Sequence, residues 1–367
     1  MSQVHKPPLH KSALHKSPCG PGSALVFLLA LTTVTSCAPQ QNAAPQATSG
    51  SAAPTATSAP ATSTGPASTG PAASAPGTTG TAGADELCGP GSAINFDASQ
   101  FQSSPNVDNR WFPLKPGMQY TTTGDVKSAE GTKKRTVVHT VTGLTKVIDG
   151  VKTQVMWDRD YADGELVESE LAFFAQTNSG TVWLFGEYPE EYENGKFTGA
   201  PSTFIHSLDE AQAGIAMQAD PQTNTPSYVQ AHAPNVDFLD CGQVLKLNDH
   251  VCVATGCYDD VLVVDERNPL EPAVGHQRKF YSAGTGLVKV TAVGGADQET
   301  LDLTKIEQLT DAKLKEVNQE ALKLDTHAYQ VSKNVYAKTD QAEVATETSA
   351  PASSPASTDS PTAQPGY

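Results

Sequence analysis

The 367-residue sequence lacks the motifs by which several large enzyme classes are recognised. It contains no G-x-S-x-G nucleophile elbow, no H-E-x-x-H zinc motif, no P-loop and no dinucleotide-binding glycine fingerprint. The histidines outside the N-terminal leader have no ligand spacing: His139, His206, His232, His250, His276 and His327. We therefore expect no cofactor and no resident metal, and we favour a non-enzymatic binding or scaffold role over catalysis.

Basic residues are scarce as well. The chain has 24 Lys and Arg against 40 Asp and Glu, which gives a formal charge of −16. Residues 1–36 contain three lysines and no acid, so removing them takes the charge from −16 to −19. So acidic a chain argues against nucleic acid and anionic lipid as partners.

The N-terminal apolar run, residues 24–31, is too short to span a bilayer, which takes about 20 residues. Three lysines precede it and V-T-S-C follows at 34–37, a pattern that resembles a bacterial lipoprotein signal with its lipobox. The resemblance implies cleavage before Cys37 and acylation of that cysteine. We therefore expect a signal peptide over 1–36 and a lipid anchor in a bacterial cell membrane or outer membrane. An ordinary signal peptide cut near Ser36 is the alternative.

Two segments are too poor in large apolar residues to fold. Residues 37–85 are mostly Ala, Pro, Ser, Thr and Gly, and residues 339–367 have a similar composition. Such segments cannot bury enough apolar surface to offset the entropy of ordering them. We predict a disordered tether at 37–85 and a disordered tail at 339–367.

Cysteines are few, and their number fits an exported protein. Cys19 falls in the leader and Cys37 is the lipidation candidate, so Cys88, Cys241, Cys252 and Cys257 remain. An even remainder predicts disulfides. We expect Cys252–Cys257 across a hairpin and hence Cys88–Cys241. Zinc is the alternative, but only one loose cysteine pair is present and two further ligands are missing.

Residues 86–310 contain the regularly spaced turn signals expected of one antiparallel β domain. Asp-Gly at 149–150, Asp-Gly at 163–164 and Asn-Gly at 194–195 separate alternating or apolar runs, which predicts hairpins. The segment at about 200–235, rich in Pro and Ala, is predicted to have little regular structure. We predict an all-β fold, an antiparallel meander curled into a barrel or half-barrel, with one C-terminal α-helix.

That helix is predicted over 311–338. Its apolar positions recur three and four residues apart, and Thr310 or Asp311 is placed to cap its start. A helix packed on the sheet is favoured, and a coiled-coil dimer is the alternative. An exposed stripe would favour a purely structural, protein-interaction role for the chain.

Aromatic residues on the meander point to both faces of their strands. Phe173 and Phe174 are adjacent, as are Trp183 and Leu184, so these strands must be covered on both sides. Either the helix covers the second face or the sheet curls. A curled sheet with an apolar concave face would hold an apolar small molecule or an envelope component.

Acidic residues form two groups near strands: Asp158 with Asp160, and Glu187 with Glu190 and Glu191. We expect a solvated acidic rim. The alternatives are a Ca²⁺ site, which needs six to eight oxygen ligands, and the acid/base pair of a carbohydrate-active hydrolase.

The segment 109–117 reads N-R-W-F-P-L-K-P-G. It is similar to the N-x-[YW]-F-P-L-x-P-G opening of a family of secreted, mainly actinobacterial proteins whose role is uncharacterised. Further similar segments extend the resemblance over about 106–290. It implies an extracytoplasmic location and supports the domain limits, but it assigns no catalytic residue. The turn with Cys252 and Cys257 departs from that family.

Overall fold

The computed structural model describes residues 88–93 and 95–345. The predicted signal peptide, the lipidation candidate Cys37, the tether and most of the tail lie outside the described residues. Within them the chain is almost entirely antiparallel β-sheet followed by one α-helix. The strands in chain order are β1 (Met118–Ser128), β2 (Gly131–Ile148), β3 (Val151–Ala162), β4 (Glu165–Gln176), β5 (Val182–Glu193), β6 (Lys196–Gly199), β7 (Phe204–Ile205), β8 (Gln212–Met217), β9 (Tyr228–Ala233), β10 (Phe238–Val253), β11 (Gly256–Arg267), β12 (His276–Ser282), β13 (Gly286–Val293), β14 (Gln298–Gln308) and β15 (Glu343–Val344), and the helix is α1 (Asp311–Val331).

Twelve of these strands close into a barrel. Their order is β1-β14-β13-β12-β11-β10-β9-β8-β5-β4-β3-β2, and β2 pairs again with β1. The short strands β6 and β7 pair with β5, and β15 pairs with β2. The predicted all-β fold with a C-terminal helix is confirmed, and the sheet takes the fully closed form.

The predicted turns form as their residue types require. Asp149-Gly150 joins β2 to β3, Asp163-Gly164 joins β3 to β4, and Asn194-Gly195 joins β5 to β6. Both residues of each pair have positive φ, for example 48° at Asp149 and 78° at Gly150. Two consecutive positive φ angles define the turn whose twist matches a hairpin, and Asp, Asn and Gly tolerate them best.

The two faces of β4 and β5 belong to different cores. Phe174 and Leu184 belong to the core that fills the barrel, together with residues from most of the other strands. Phe173, Phe185 and Tyr188 belong to a second core that includes residues of α1. Both arrangements inferred from the doubly apolar strands are therefore present, since the sheet curls and the helix covers its outer surface.

Helix α1 packs on the outside of the barrel. Thr310 caps it, its side chain accepting from the Lys313 amide at 3.4 Å. Ala321, Leu324 and Ala328 are buried against the sheet, which confirms the packed helix over the coiled coil. Within 88–93 and 95–345, no helix has both the length and the hydrophobicity that crossing a bilayer takes.

Two parts of the sequence are more ordered than predicted. The segment at about 200–235 contributes β7, β8 and β9, whose small residues fit close strand contacts: a Cβ on Gly214 would lie 2.5 Å from the Val229 carbonyl. The helix ends at Val331 rather than 338. The first residues of the predicted tail, 339–345, are ordered because β15 pairs with β2 of the barrel and the Asp325 carboxylate of α1 accepts from the Ala342 amide at 3.2 Å.

The part of the chain that the structure describes contains two disulfides, with the predicted pairing. Cys88–Cys241 is buried and joins positions 153 residues apart, tying the segment before β1 to β10. Cys252–Cys257 links directly opposed residues of the β10–β11 hairpin and is exposed.

Candidate ligand-binding site

A pocket lies at the end of the barrel where the chain enters β1. Its empty volume is about 420 Å³, part of it open to solvent. Most of its walls are apolar. It is lined by Phe112, Pro113, Leu114, Tyr120, His139, Val141, Met156, Thr285, Gly286 and Leu287.

Asn109 makes four hydrogen bonds at the start of the segment that covers this pocket. Asn109 Oδ1 accepts from the amides of Trp111 at 2.8 Å and Phe112 at 3.1 Å. Its Nδ2 donates to the Gly180 carbonyl at 2.8 Å and to the Gln218 carbonyl at 3.1 Å. The asparagine of the N-R-W-F-P-L-K-P-G motif thus positions the pocket wall, because Phe112 and the residues after it follow directly.

One polar pair lies where the pocket meets the deeper interior. His139 on β2 and Asp158 on β3 are register partners, and Nδ1 lies 3.0 Å from Oδ1. Both side chains are buried. Tyr120 on β1 opposes His139 from the other side, and burial raises the pKa of its hydroxyl. This end of the pocket therefore offers hydrogen-bonding groups to a ligand whose body is apolar.

Further along the same strands the interior becomes charged. Two inward positions beyond His139, Arg135 pairs with Asp160, and its Nε lies 3.5 Å from Glu299 Oε1. Burial disfavours the guanidinium charge, but the carboxylates of Asp160 and Glu299 outweigh burial and raise the pKa of Arg135. Burial raises the pKa of Glu299 despite the attraction of Arg135.

A second buried ion pair continues this layer. Lys279 on β12 pairs with Glu266 on β11, and both side chains are almost wholly inaccessible. Glu266 also accepts from Gln230 at 2.9 Å and from the Tyr281 hydroxyl at 3.5 Å. Burial, followed by the nearby Glu266 charge, raises the pKa of Tyr281 well above its usual value. These contacts hold the walls of β9, β11 and β12 together.

The predicted acidic groups lie mostly in the protein interior, so the expectation of a solvated rim was wrong. Asp158 and Asp160 share one strand face, as predicted, but that face lines the barrel. Glu187 is buried and opposes the inward-facing Ala172. Glu191 is half-buried. Both carboxylates have partners inside the fold, since Asp158 lies beside His139 and Asp160 forms an ion pair with Arg135.

Glu190 lies on the opposite face of β5, under α1. It accepts from the hydroxyls of Tyr188 at 2.6 Å and Tyr192 at 2.5 Å, and it lies 2.5 Å from His327 Nδ1 of the helix. Burial and the Glu190 charge raise the pKa of both tyrosines. Glu190 therefore links the helix to the sheet, and the structure does not bring the five predicted acids into one cluster.

Sequence reasoning missed most of the pocket. His139 has the same strand parity as Val137 and Val141, which belong to the barrel core, and this parity is the signal that marks it as facing inward. Tyr120, Met156 and Leu287 reach the same pocket from β1, β3 and β13. Their convergence depends on barrel closure, for which the sequence contains no local signal.

Comparison with known proteins yields little. No family model matches this chain, and no curated protein matches it either. Among solved structures, a Bacteroides fragilis protein with a YmcC-like fold, assigned as exported, is 12% identical and covers 54% of this chain and 98% of its own, with a TM-score of 0.32. A Parabacteroides distasonis protein assigned as a lipoprotein is 13% identical and covers 56% of this chain and 100% of its own, also at 0.32. These TM-scores are too low for either likeness to bear on function.

Proposed function

We propose that this chain is an exported, lipid-anchored lipoprotein whose barrel binds an apolar or amphipathic small molecule in the pocket beneath the 109–117 segment. The observation that carries the proposal is the pocket itself. Its walls are largely apolar, with His139 and Tyr120 as polar groups at one end, and this is the composition of small-molecule sites, in which a few polar groups fix the orientation of the ligand.

The residues around the pocket support binding over a purely structural role. Phe112, Leu114, Val141, Met156 and Leu287 supply apolar wall from four separate parts of the chain. The apolar stripe of α1 is used in packing on the barrel, so it is not a free surface for dimerisation.

Two features support export and anchoring. Disulfides form and persist in oxidising compartments, and the folded part contains two. The lipobox-like V-T-S-C at 34–37 supplies the cysteine to which lipid would be attached.

Ligand binding is tested with Nile red, an uncharged apolar fluorophore. The wild-type protein is expected to give saturable fluorescence enhancement. Leu287→Trp fills the pocket and should abolish most of it, whereas Leu270→Trp, at an exposed leucine, should leave it unchanged. Equal enhancement in all three proteins would remove the pocket as the binding site. Native mass spectrometry of the wild type then identifies any co-purified lipid.

Anchoring is tested by expressing the full chain in a bacterium supplied with labelled palmitate. The wild type and Cys19→Ser should incorporate label and sediment with membranes, while Cys37→Ser should do neither. Label on Cys37→Ser equal to that on the wild type would overturn the assignment of the lipid to Cys37.

A further inference from the structure

An exposed group of metal-ligating side chains lies at the tip of the β10–β11 hairpin, and none of its members lines the pocket. His250, Cys252 and Cys257 each place one ligand atom within 4.8 Å of the others. His250 and Cys252 are two residues apart on β10 and share a face, and Cys257 is the register partner of Cys252 on β11.

The imidazole of His250 is oriented as a metal ligand would be. Its Nε2 lies 3.3 Å from Cys252 Sγ, while its Nδ1 lies 2.6 Å from Asp259 Oδ1. Histidines that bind metals usually donate their other ring N–H to a carboxylate, which fixes the ring and raises its basicity. Asp259 thus supplies the supporting contact, and Nε2 faces the sulfur atoms.

We propose that this hairpin tip is a redox-controlled metal site. When Cys252–Cys257 is reduced, both thiolates and His250 Nε2 bind Zn²⁺, with Asp259 holding the imidazole and a fourth position left for water. Zn²⁺ takes Cys and His ligands in tetrahedral geometry, and the C-x4-C spacing of 252–257 is within the range seen at zinc sites.

The geometry needs only a small change on reduction. With Zn–S of about 2.3 Å and Zn–N of about 2.0–2.1 Å, tetrahedral ligands lie about 3.6 Å apart for N and S and about 3.8 Å apart for two S atoms. The N-to-S distance is already 3.3 Å. Once the Cys252–Cys257 bond is broken, the two sulfur atoms must move apart to the tetrahedral spacing, and both side chains lie at an exposed hairpin tip.

The redox step uses an external dithiol, such as that of an extracytoplasmic thiol reductase. One thiolate of the dithiol attacks Cys257 Sγ, the Cys252–Cys257 bond breaks, and Cys252 leaves as a thiolate beside His250 Nε2. The second external thiol then resolves the mixed disulfide. Two electrons pass to the hairpin, the external pair becomes a disulfide, and Zn²⁺ binding releases the protons of any thiols.

The two disulfides of the folded part are unequally accessible to such a reductant. Cys252 and Cys257 are exposed, whereas Cys88 and Cys241 are 1% and 0% exposed. Disulfide exchange requires access to a sulfur atom. The other face of the hairpin carries Val251, which packs in a small core with Val261, so reduction at the tip leaves the barrel intact.

The test uses the full chain treated with a limiting amount of dithiothreitol and then with Zn²⁺ or Co²⁺. Alkylation and mass spectrometry should show Cys252 and Cys257 reduced and Cys88–Cys241 intact. The reduced wild type should bind one more Zn²⁺ per chain than the oxidised protein, and Co²⁺ should give the thiolate charge-transfer band of a tetrahedral site. Cys252→Ser with Cys257→Ser should lose both signals.

Variants of His250 and Asp259 distinguish the metal ligand from the carboxylate that holds its imidazole. Asp259→Asn should weaken Zn²⁺ binding by about 10–100-fold, the usual effect of losing the partner of a ligating histidine. His276→Gln is the matched control, since His276 is also exposed and also pairs with an aspartate, Asp265, at 3.0 Å. Unchanged affinity in His250→Gln, or equal zinc in the reduced wild type and the double serine variant, would overturn the site. So would reduction of Cys88–Cys241 ahead of Cys252–Cys257.

Discussion

Neutralising Asp325 should release helix α1 and the segment that follows it, by leaving a buried lysine without its counter-ion. Lys146 Nζ lies 3.1 Å from Asp325 Oδ1, and both side chains are almost fully inaccessible, at 0% and 2%. The same carboxylate accepts from the Tyr336 hydroxyl at 2.5 Å. Burial already lowers the pKa of Lys146, although Asp325 opposes that shift.

The size of the effect follows from the protonation of Lys146. In Asp325→Asn the ammonium loses its partner, and breaking a buried ion pair in this way destabilises a protein by about 3–5 kcal/mol. The loss from the stranded charge cannot exceed the free energy of deprotonating the lysine. That limit is about 1.36 kcal/mol for each pH unit below about 10.4, or about 4.6 kcal/mol at pH 7 and about 1.9 kcal/mol at pH 9.

The destabilisation caused by Asp325→Asn should therefore decrease as the pH rises. In the variant the folded-state pKa of Lys146 falls further below its unfolded value, so the destabilisation is full at low pH and shrinks as pH rises towards the unfolded pKa. Urea unfolding of the wild type and Asp325→Asn at pH 7 and pH 9 should give a larger difference in the free energy of unfolding at pH 7. Adding Lys146→Met should recover most of the loss.

A matched control tests whether burial is the cause. Lys152 and Glu343 form a second ion pair between the barrel and the C-terminal segment, at 3.4 Å, but Glu343 is 66% exposed. Glu343→Gln should change the free energy of unfolding by less than about 1 kcal/mol. Equal destabilisation by Asp325→Asn at pH 9 and pH 7, or a double variant no more stable than the single one, would show that the buried Lys146 charge is not the cause.

Three smaller perturbations test other parts of the barrel by urea unfolding. Asn109→Ala should lower the free energy of unfolding by about 1–3 kcal/mol, because buried backbone groups lose their partners. The control Asn106→Ala, at an exposed site, should change it by less than about 0.5 kcal/mol. Similar losses in the two variants would contradict the role of Asn109. Gly242→Ala should cost about 1–3 kcal/mol, since its Cβ would lie 2.6 Å from the Tyr228 ring, and an unchanged midpoint would contradict that packing. Burial lowers the pKa of His206, whose Nδ1 accepts a backbone amide at 3.0 Å, so stability present above about pH 6.5 should fall as pH drops towards the folded-state pKa. His206→Gln should flatten that slope between pH 7 and pH 5, and a slope equal to that of the wild type would contradict it.

The local parts of the fold could be predicted from the sequence, and the long-range parts could not. Asp149-Gly150 and Asp163-Gly164 define their hairpins because the residues needed for positive φ stand between the strands they join. Barrel closure depends on β1 pairing with β14, about 180 residues away. Nothing near either strand in the sequence specifies that partner, so a barrel and a half-barrel remained equal alternatives.

The burial of the acidic residues was unpredictable for a related reason. Asp160 is acceptable inside the barrel because Arg135 comes from the neighbouring strand, and Arg135 in turn is matched by Glu299 on β14. Each charge taken alone indicates a surface position. Closure of the barrel adds Glu299 of β14 to this pair, and the same closure brings Leu287 and Met156 to one pocket.

The barrel interior is divided along its axis, and this division constrains any occupant of the pocket. Near the 109–117 segment the walls are Phe112, Leu114 and Val141, whereas beyond His139 the inward positions carry paired charges such as Arg135 with Asp160. Separating the two charges of a buried ion pair is strongly destabilising, because it leaves each charge buried without compensation. An apolar chain pushed past His139 would have to separate those pairs without replacing their contacts. The charged layer therefore limits how deep an apolar ligand can enter the barrel. A ligand in the pocket would turn its polar group towards His139 and Tyr120 and its apolar body towards the 109–117 segment.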